Sequence, residues 1–370
     1  MCWAYPNRRR DTNEKISITD FRSTCRGRYR KHRFTIKRQS NDNLDKLPKK
    51  FVNSELEYKS GMSDIFSILK AYVTVERNEP VPRTALPLIP MTAEQLIEEQ
   101  DDVAYRLGHS SVMMKLDGKL VMTDPVFSDR ASPVQWMGPK RFHPTPISLQ
   151  ELPDIDVVVI SHDHYDHLDK GAVKVLADKV STFLVPLRVG ALLEKWGVDK
   201  AKIIELNWWE SATASDIEFT LTPTQHFSGR GLLDRDQTLW GSWVINASDK
   251  KVFFSGDSGY FNGFKEIGDR FGPFDLTMVE TGAYNSLWAG IHMFPEQSVQ
   301  AHIDLQGKVM MPIHNSTFDL SMHDWQDPMD QALAISKERD VQMVSPVMGE
   351  RLVISEPVPV QAWWKLASNN

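Results

Sequence analysis

Cysteine is nearly missing: Cys2 and Cys25, both near the N-terminus, are the only two in 370 residues. That scarcity excludes a disulfide framework and a cysteine-based zinc site, so any metal must be held by nitrogen and oxygen. No stretch approaches the roughly 20 apolar residues of a membrane-spanning helix. The N-terminus lacks the apolar centre of about 7–15 residues that marks a secretory signal. No internal repeat and no low-complexity segment is present. With 41% apolar and 25% charged residues the composition is that of a globular protein, which excludes a fibrous or wholly disordered chain. The expectation is a cytoplasmic protein, with peripheral membrane contact left open.

Charge is unevenly spread. Residues 1–40 hold 12 Lys and Arg against 3 Asp and Glu, a balance of +9, and the other 330 residues hold 31 against 46, or −15. The basic arm, through Arg8-Arg9-Arg10 and Arg26 to Arg33, reads as a solvated tail, an electrostatic handle for anionic lipid or nucleic acid, or the product of an upstream start codon. A body at −15 repels a polyanion, so nucleic acid is a disfavoured partner. The chain divides into a basic extension (1–45), a segment packing on the core (46–100), the main domain (101–355) and a C-terminal tail (356–370). A short helix is expected over 63–75, before Pro80, Pro82, Pro87 and Pro90, which are too closely spaced for a long one.

From about Val103 short apolar, β-branched runs alternate with loops. Lys119–Thr123 ends at Asp124, and Ile155–Ile160 precedes Ser161 and His162. Phe219–Thr222 is followed by Pro-Thr-Gln and His226, and Lys251–Phe254 by Ser-Gly and Asp257. Leu276–Val279 leads into Glu280, and Lys308–Ile313 into His314. Buried strands read as runs of this kind, and ligand sites gather on loops at strand ends held by a rigid sheet. The pattern predicts a layered α/β fold with a site along one sheet edge.

The densest signal is His162-Asp-His164-Tyr-Asp166-His167. His162 and His164, two apart in an extended loop, project to the same side; Asp166 and His167 follow where the chain turns toward a helix. Three of the 11 histidines fall within these six residues, which argues against chance. Zinc accepts imidazole and carboxylate when cysteine is absent, and iron or manganese would accept the same set. Four ligands exceed the need of one tetrahedral ion that keeps an open position, whereas two ions roughly 3.5–4 Å apart use them all. A water shared by two such ions has its pKa lowered to about 7, so hydroxide is the nucleophile and no Ser or Cys is required.

His162-x-His164-x-Asp166-His167 resembles the metal motif of the metallo-β-lactamase superfamily. The resemblance implies an αββα sandwich, two mixed β-sheets flanked by helices, holding two Zn2+ ions. It implies that His162, His164 and His226 hold one ion, that Asp166, His167 and His314 hold the other, and that Asp257 bridges them. A narrower resemblance covers most of residues 100–330: Leu107-Gly-His109, Thr123-Asp124-Pro125, Met137-Gly-Pro-Lys140-Arg141-Phe142, Asn207-Trp-Trp-Glu210 and Gly282-Ala-Tyr284. These resemble N-acylphosphatidylethanolamine-hydrolysing phospholipase D and its bacterial relatives. That branch has a substrate-handling histidine 22 residues before the last ligand, the place of His292 here. Residues 285–291, the pair Asn315-Ser316 and the N-terminal region depart from the branch; these departures bear on the substrate, not on metal binding.

Catalysis is thus expected from Asp166 and Asp257 at the metals, from His292 as proton donor or substrate partner, and from Asp124, which with Asp163 is a candidate to orient ligand imidazoles. His109 suits a structural role as well as a site role. His32, His143, His302 and His323 carry no supporting pattern, and Trp208-Trp209 suits core packing or a loop anchor. Trp136 and Met137 beside Lys140 and Arg141 would form a lip for acyl chains and a phosphate, with Tyr284 a further substrate contact. The expected activity is a dinuclear zinc phosphodiesterase of the phospholipase D type acting on a lipid or small-molecule substrate. The alternatives are a lactonase or esterase, a hydrolase of small phosphodiesters, and, less favoured, a nuclease. A homodimer is suggested by the resemblance alone.

Overall fold

The computed structural model describes residues 35–37, 47–56, 70–71, 74–231 and 233–368. Cys2, Cys25, His32, most of the basic arm and most of the helix expected over 63–75 lie outside the described residues.

Two seven-stranded mixed sheets form the body. One is ordered β14 (Arg351–Val353), β2 (Val103–Gly108), β3 (Ser111–Leu116), β4 (Lys119–Thr123), β5 (Ile155–Val159), β6 (Val180–Pro186), β7 (Ile203–Leu206). The other is ordered β1 (Thr35–Lys37), β8 (Ser211–Ala214), β9 (Ile217–Thr222), β10 (Ser242–Asn246), β11 (Lys251–Phe254), β12 (Phe274–Glu280), β13 (Gly307–Ile313). All six runs picked out above are strands. Strands β4 to β7 and β11 to β13 are parallel. Parallel strands are covered on both faces, which is why these read as continuous apolar runs rather than alternating ones.

The period of two is present in where the side chains go. Val112, Met114 and Leu116 of β3, Val157 and Val159 of β5, and Val309, Met311 and Ile313 of β13 share one core with Phe219, Trp243 and Phe254, between the sheets. Met113 and Val158 point the other way, onto a cluster with Leu96 of α1 (Ala93–Glu98), Val173 and Leu176 of α2 (Lys170–Lys179) and Leu193 of α3 (Gly190–Lys195). Met310 joins Phe264 and Ile267 of α4 (Gly263–Phe271), Val299 of α5 (Pro295–Asp304) and Leu305 just past the end of α5. The result is helix, sheet, sheet, helix in four layers.

The segment before residue 100 contributes Phe51 to the inter-sheet core and Leu96 to an outer one. Past residue 355, where a tail was expected, Trp363 to Ser368 form helix α7. Trp364 there is fully buried, in a cluster with Met329 and Ala332 of α6 (Asp327–Glu338). Two tryptophans next to each other bury enough apolar surface to hold a six-residue helix that propensity alone would not. Among the described residues no helix is long and apolar enough to cross a membrane.

Candidate metal centre

Because β9 and β10, and then β10 and β11, are antiparallel, β9 runs in the same direction as β11, β12 and β13. Their C-terminal ends therefore deliver His226, Asp257, Glu280 and His314 to one edge, and β4 and β5 bring Asp124 and His162 from the facing sheet. Two bonds join the sheets there: Trp243 Nε1 donates to Ile160 O at 2.8 Å, and Gly241 N to Ser161 O at 3.0 Å. The turns are tight. His109, Asp124 and His314 all take left-handed backbone conformations, with φ of 53°, 32° and 63°. Such non-glycine positions cost on the order of 1–3 kcal/mol each and gather where a site requires them.

All seven expected ligands converge. His162, His164, His226 and Asp257 form one group of potential ligand atoms within 4.8 Å of one another, and Asp166, His167 and His314, with His109, form another. Asp257 reaches both groups: Oδ1 lies 3.1 Å from His167 Nε2, and Oδ2 lies 3.1 Å from His314 Nε2, 3.7 Å from His226 Nε2 and 3.8 Å from His162 Nε2. His164 Nδ1 is 2.9 Å from His162 Nε2 and 3.2 Å from His226 Nε2.

These residues fit metal ions. His167 Nε2 and Asp257 Oδ1 are buried and lack a hydrogen bond although they lie 3.1 Å apart, and His314 Nε2, 3.1 Å from Asp257 Oδ2, lacks one too, so they aim at a shared point rather than at one another. A buried polar atom left so costs about 1–3 kcal/mol, and a cation would satisfy several together. In the first group burial holds the His162 and His226 imidazoles well below their ordinary range and lowers His164, giving the neutral form that a metal takes. In the second, burial opposes charge, but Asp257 and Asp166 outweigh it: they raise His314 to about 10 and hold His167 well above its ordinary value. Protons there occupy the place of a cation.

The tautomers follow from donors and acceptors. Asp124 Oδ2 accepts from His167 Nδ1 at 2.6 Å and from Ser161 Oγ at 2.5 Å, and Oδ1 accepts from Ser161 N at 2.7 Å. Burial pushes the Asp124 carboxyl up, and against it the hydrogen bonds from His167 and Ser161 favour the ionised form. Ser161 Oγ, having donated, accepts from His162 Nδ1 at 2.9 Å. His226 Nδ1 donates to Ile291 O at 3.0 Å. Each of these three imidazoles therefore keeps a proton on Nδ1, so that Nε2 is the nitrogen a metal would take.

Asp163 has a different role. Its carboxylate accepts from Gly229 N at 2.7 Å and Thr238 Oγ1 at 2.9 Å, tying the 229–238 loop to the metal loop rather than orienting an imidazole. His109 is drawn into the site: its Nε2 donates to Asp166 Oδ2 at 3.1 Å, while burial and His314 lower its pKa to about 3, so it does so as neutral imidazole. Asn53 is a site residue that sequence reading missed. Its amide exchanges two bonds with the main chain of His226 (2.8 and 3.0 Å) from 173 positions away. Glu280, noted only as a strand end, accepts from His292 Nδ1 at 2.9 Å. His292 itself lies between the rings of His226 and His314, with centroids 5.2 and 5.3 Å away.

The expected lip divides. Trp136 and Met137 are 76% and 57% exposed. Arg141 is not on that lip, which corrects the reading of it as a headgroup cation. Its side chain is buried, Nη2 donates to Val126 O at 2.6 Å, and its guanidinium lies over Phe318. Tyr284 is buried too, donating to Asp327 at 2.7 Å and stacked on His323. The 229–238 loop adds Leu233, 90% exposed. Both loops are fastened at the start of α2: Asp169 accepts from Ser128 N at 2.8 Å, and Arg230 donates to Leu168 O at 2.7 Å. Trp208 is an anchor, as expected, donating to Trp240 O.

Residues 119–315 match the β-lactamase superfamily domain. An uncharacterized protein of Mycobacterium tuberculosis is 44% identical over 263 residues, 70% of each chain. The N-acyl-phosphatidylethanolamine-hydrolyzing phospholipase D 1 of Caenorhabditis elegans is 33% identical over 335 residues, 84% of this chain and 92% of that one. Among solved structures, Igni18, a metallo hydrolase of the archaeon Ignicoccus hospitalis, has the same fold at 22% identity and a TM-score of 0.53, covering 68% of this chain and 98% of that one. With the ligands gathered at the sheet edge and this span of similarity, the chain belongs to the metallo-β-lactamase superfamily of metal-dependent hydrolases.

Proposed function

We propose that the chain is a dinuclear zinc phosphodiesterase that cleaves a phospholipid of the N-acylphosphatidylethanolamine class on the phospholipase D side of the phosphate. The observation that supports it is Asp257, whose two oxygens reach both ligand groups and could serve two cations side by side. Two divalent ions there would supply an activated water and neutralise the phosphoryl and departing oxygens. The rest belongs to the chain. Asp124 holds His162 and His167 in the tautomer that binds metal. His292, with Nδ1 engaged, has the Nε2 lone pair left to take a proton as water attacks and to return it to the departing oxygen. Trp136, Met137 and Leu233, exposed on loops fastened beside the metal loop, are the surface for acyl chains and for peripheral contact with a membrane, with Lys140 as the cation beside them. The similarity to the Caenorhabditis elegans phospholipase D supports the same substrate class.

Mass spectrometry of products after incubating zinc-loaded protein with N-acylphosphatidylethanolamine tests this, with His167→Ala as control. Phosphatidic acid and N-acylethanolamine, absent with the variant, are the expected products. No turnover by protein holding two metal equivalents would refute the lipid reading and turn the search to lactones and small phosphodiesters.

A further inference from the structure

Glu280 lies at the end of β12 with no solvent exposure, and among the described residues no Lys or Arg is bonded to it; burial pushes its carboxyl up and His292 draws it back down. A buried charge persists only when it is paired or fully hydrogen-bonded. Oε1 accepts from Met293 N at 2.6 Å and Oε2 from His292 Nδ1 at 2.9 Å. Its own main chain is pinned at both ends: Glu280 N donates to Ser255 Oγ at 2.9 Å, and Glu280 O accepts from Ser298 Oγ at 2.7 Å. Neither oxygen can move without breaking a bond. Among the described residues no hydrogen bond engages His292 Nε2, and the imidazole sits against the rings of two metal-ligand histidines.

We infer that Glu280 is a positioning residue: it holds His292 as the Nδ1–H tautomer at a fixed tilt, so that Nε2 is the nitrogen given to the substrate. This rests on the hydrolase reading above. An imidazole with a free choice of tautomer would present an N–H to the cleft part of the time and a lone pair the rest. An anchored carboxylate accepts only, so it removes the choice. Glu280 also lies within 4.8 Å of potential ligand atoms on Asp257 and His314, which makes a direct metal contact the competing role. Both its oxygens already accept a hydrogen, and that favours the imidazole over an ion.

Glu280→Gln separates the roles. The glutamine oxygen stays with Met293 N–H, because a main-chain donor cannot change, so the amide NH2 faces His292 Nδ1. Two donors cannot meet, and the imidazole must move its proton to Nε2. The readout is the long-range proton–nitrogen NMR spectrum of zinc-loaded, full-length protein, with the His292 signals identified by their loss in His292→Gln. The wild type is expected to show a protonated Nδ1 and a bare Nε2, and Glu280→Gln the reverse. Metal content should remain two equivalents, and kcat on the lipid substrate should fall about 10²-fold or more with KM within twofold, the scale of one acid–base contribution. An unchanged tautomer in Glu280→Gln would overturn the inference, as would loss of a metal equivalent with the tautomer intact, which would make Glu280 a ligand. Failure of the wild type to cleave the lipid would sink the substrate reading alone, because the tautomer is observed without any substrate.

Discussion

Replacing Asp124 by Asn changes no shape and reverses one hydrogen-bond polarity, so its consequences can be followed bond by bond. The main-chain donor Ser161 N cannot change, and the asparagine oxygen therefore stays at Oδ1. The amide NH2 then takes the place of Oδ2, where Ser161 Oγ and His167 Nδ1 now donate at 2.5 and 2.6 Å. His167 must move its proton to Nε2, the nitrogen 3.1 Å from Asp257. Ser161 Oγ, now accepting from the amide, turns its own proton to His162 Nδ1 at 2.9 Å, and His162 also becomes the Nε2–H tautomer. One substitution thus removes a lone pair from each ligand group. Loss of an orienting partner lowers metal affinity by about 10–100-fold, or roughly 1.4–2.7 kcal/mol per site. The bonds are reversed rather than lost when metal is bound, whereas the metal-free variant also loses the carboxylate beside the protonated His167 and should melt lower than the wild type. Chelator competition with metal quantitation measures the affinities. Wild-type affinity at both sites in Asp124→Asn would refute the tautomer argument, whatever happened to activity.

Metal loading should release protons near pH 7.5, because His314 and His167 are held protonated in the metal-free protein; calorimetry in two buffers of different ionisation enthalpy counts them. A folded-state pKa of about 10 for His314, above its ordinary value near 6.5, gives stability that is fully present below pH 6.5 and lost as pH rises through 10. The melting temperature of metal-free protein should therefore fall between pH 7 and 10, and a flat profile would contradict the charge assignment. Gly256→Ala should weaken metal binding and destabilise the fold by about 1–3 kcal/mol. The position has φ of 56°, and a Cβ there would meet Ser161 Cβ at 2.4 Å; unchanged metal content and melting would count against this. Trp364→Ala should cost about 3–5 kcal/mol as a core truncation. Metal stoichiometry should be intact, since its cluster shares no residue with the ligands, and thermal melting with metal quantitation would show both.

The ligands were legible because their chemistry is local. His162 to His167 lie within six residues, and each remaining ligand follows a strand whose apolar run is itself visible. The strands were legible for a related reason: parallel strands buried on both faces leave long unbroken runs. What could not be read is what orients the ligands. Asn53 finds His226 across 173 positions, and Glu280 meets His292 only because the irregular segment between them folds back on the strand end. No period or motif encodes such a meeting. Arg141 failed for the complementary reason. A cation beside Trp136 and Met137 reads as solvent-facing, but Arg141 N bonds to Asp129 O at 2.8 Å and closes the loop, which turns the guanidinium inward. The division has a chemical consequence. The ligand motif specifies that metals bind, and it would do so equally in relatives with other substrates. The proton placement on His162, His167, His226 and His292 is set by Asp124, Ser161, the Ile291 carbonyl and Glu280. All four lie outside that motif, Ser161 directly before it, Asp124 after β4, Glu280 at the end of β12 and Ile291 in the segment that follows. Substitutions in those loops can alter which nitrogen faces the substrate and leave the ligand set intact. That is how one metal centre can serve different hydrolytic reactions, and why the loops at residues 280–292 and 128–141 are where this chain's specificity should be sought.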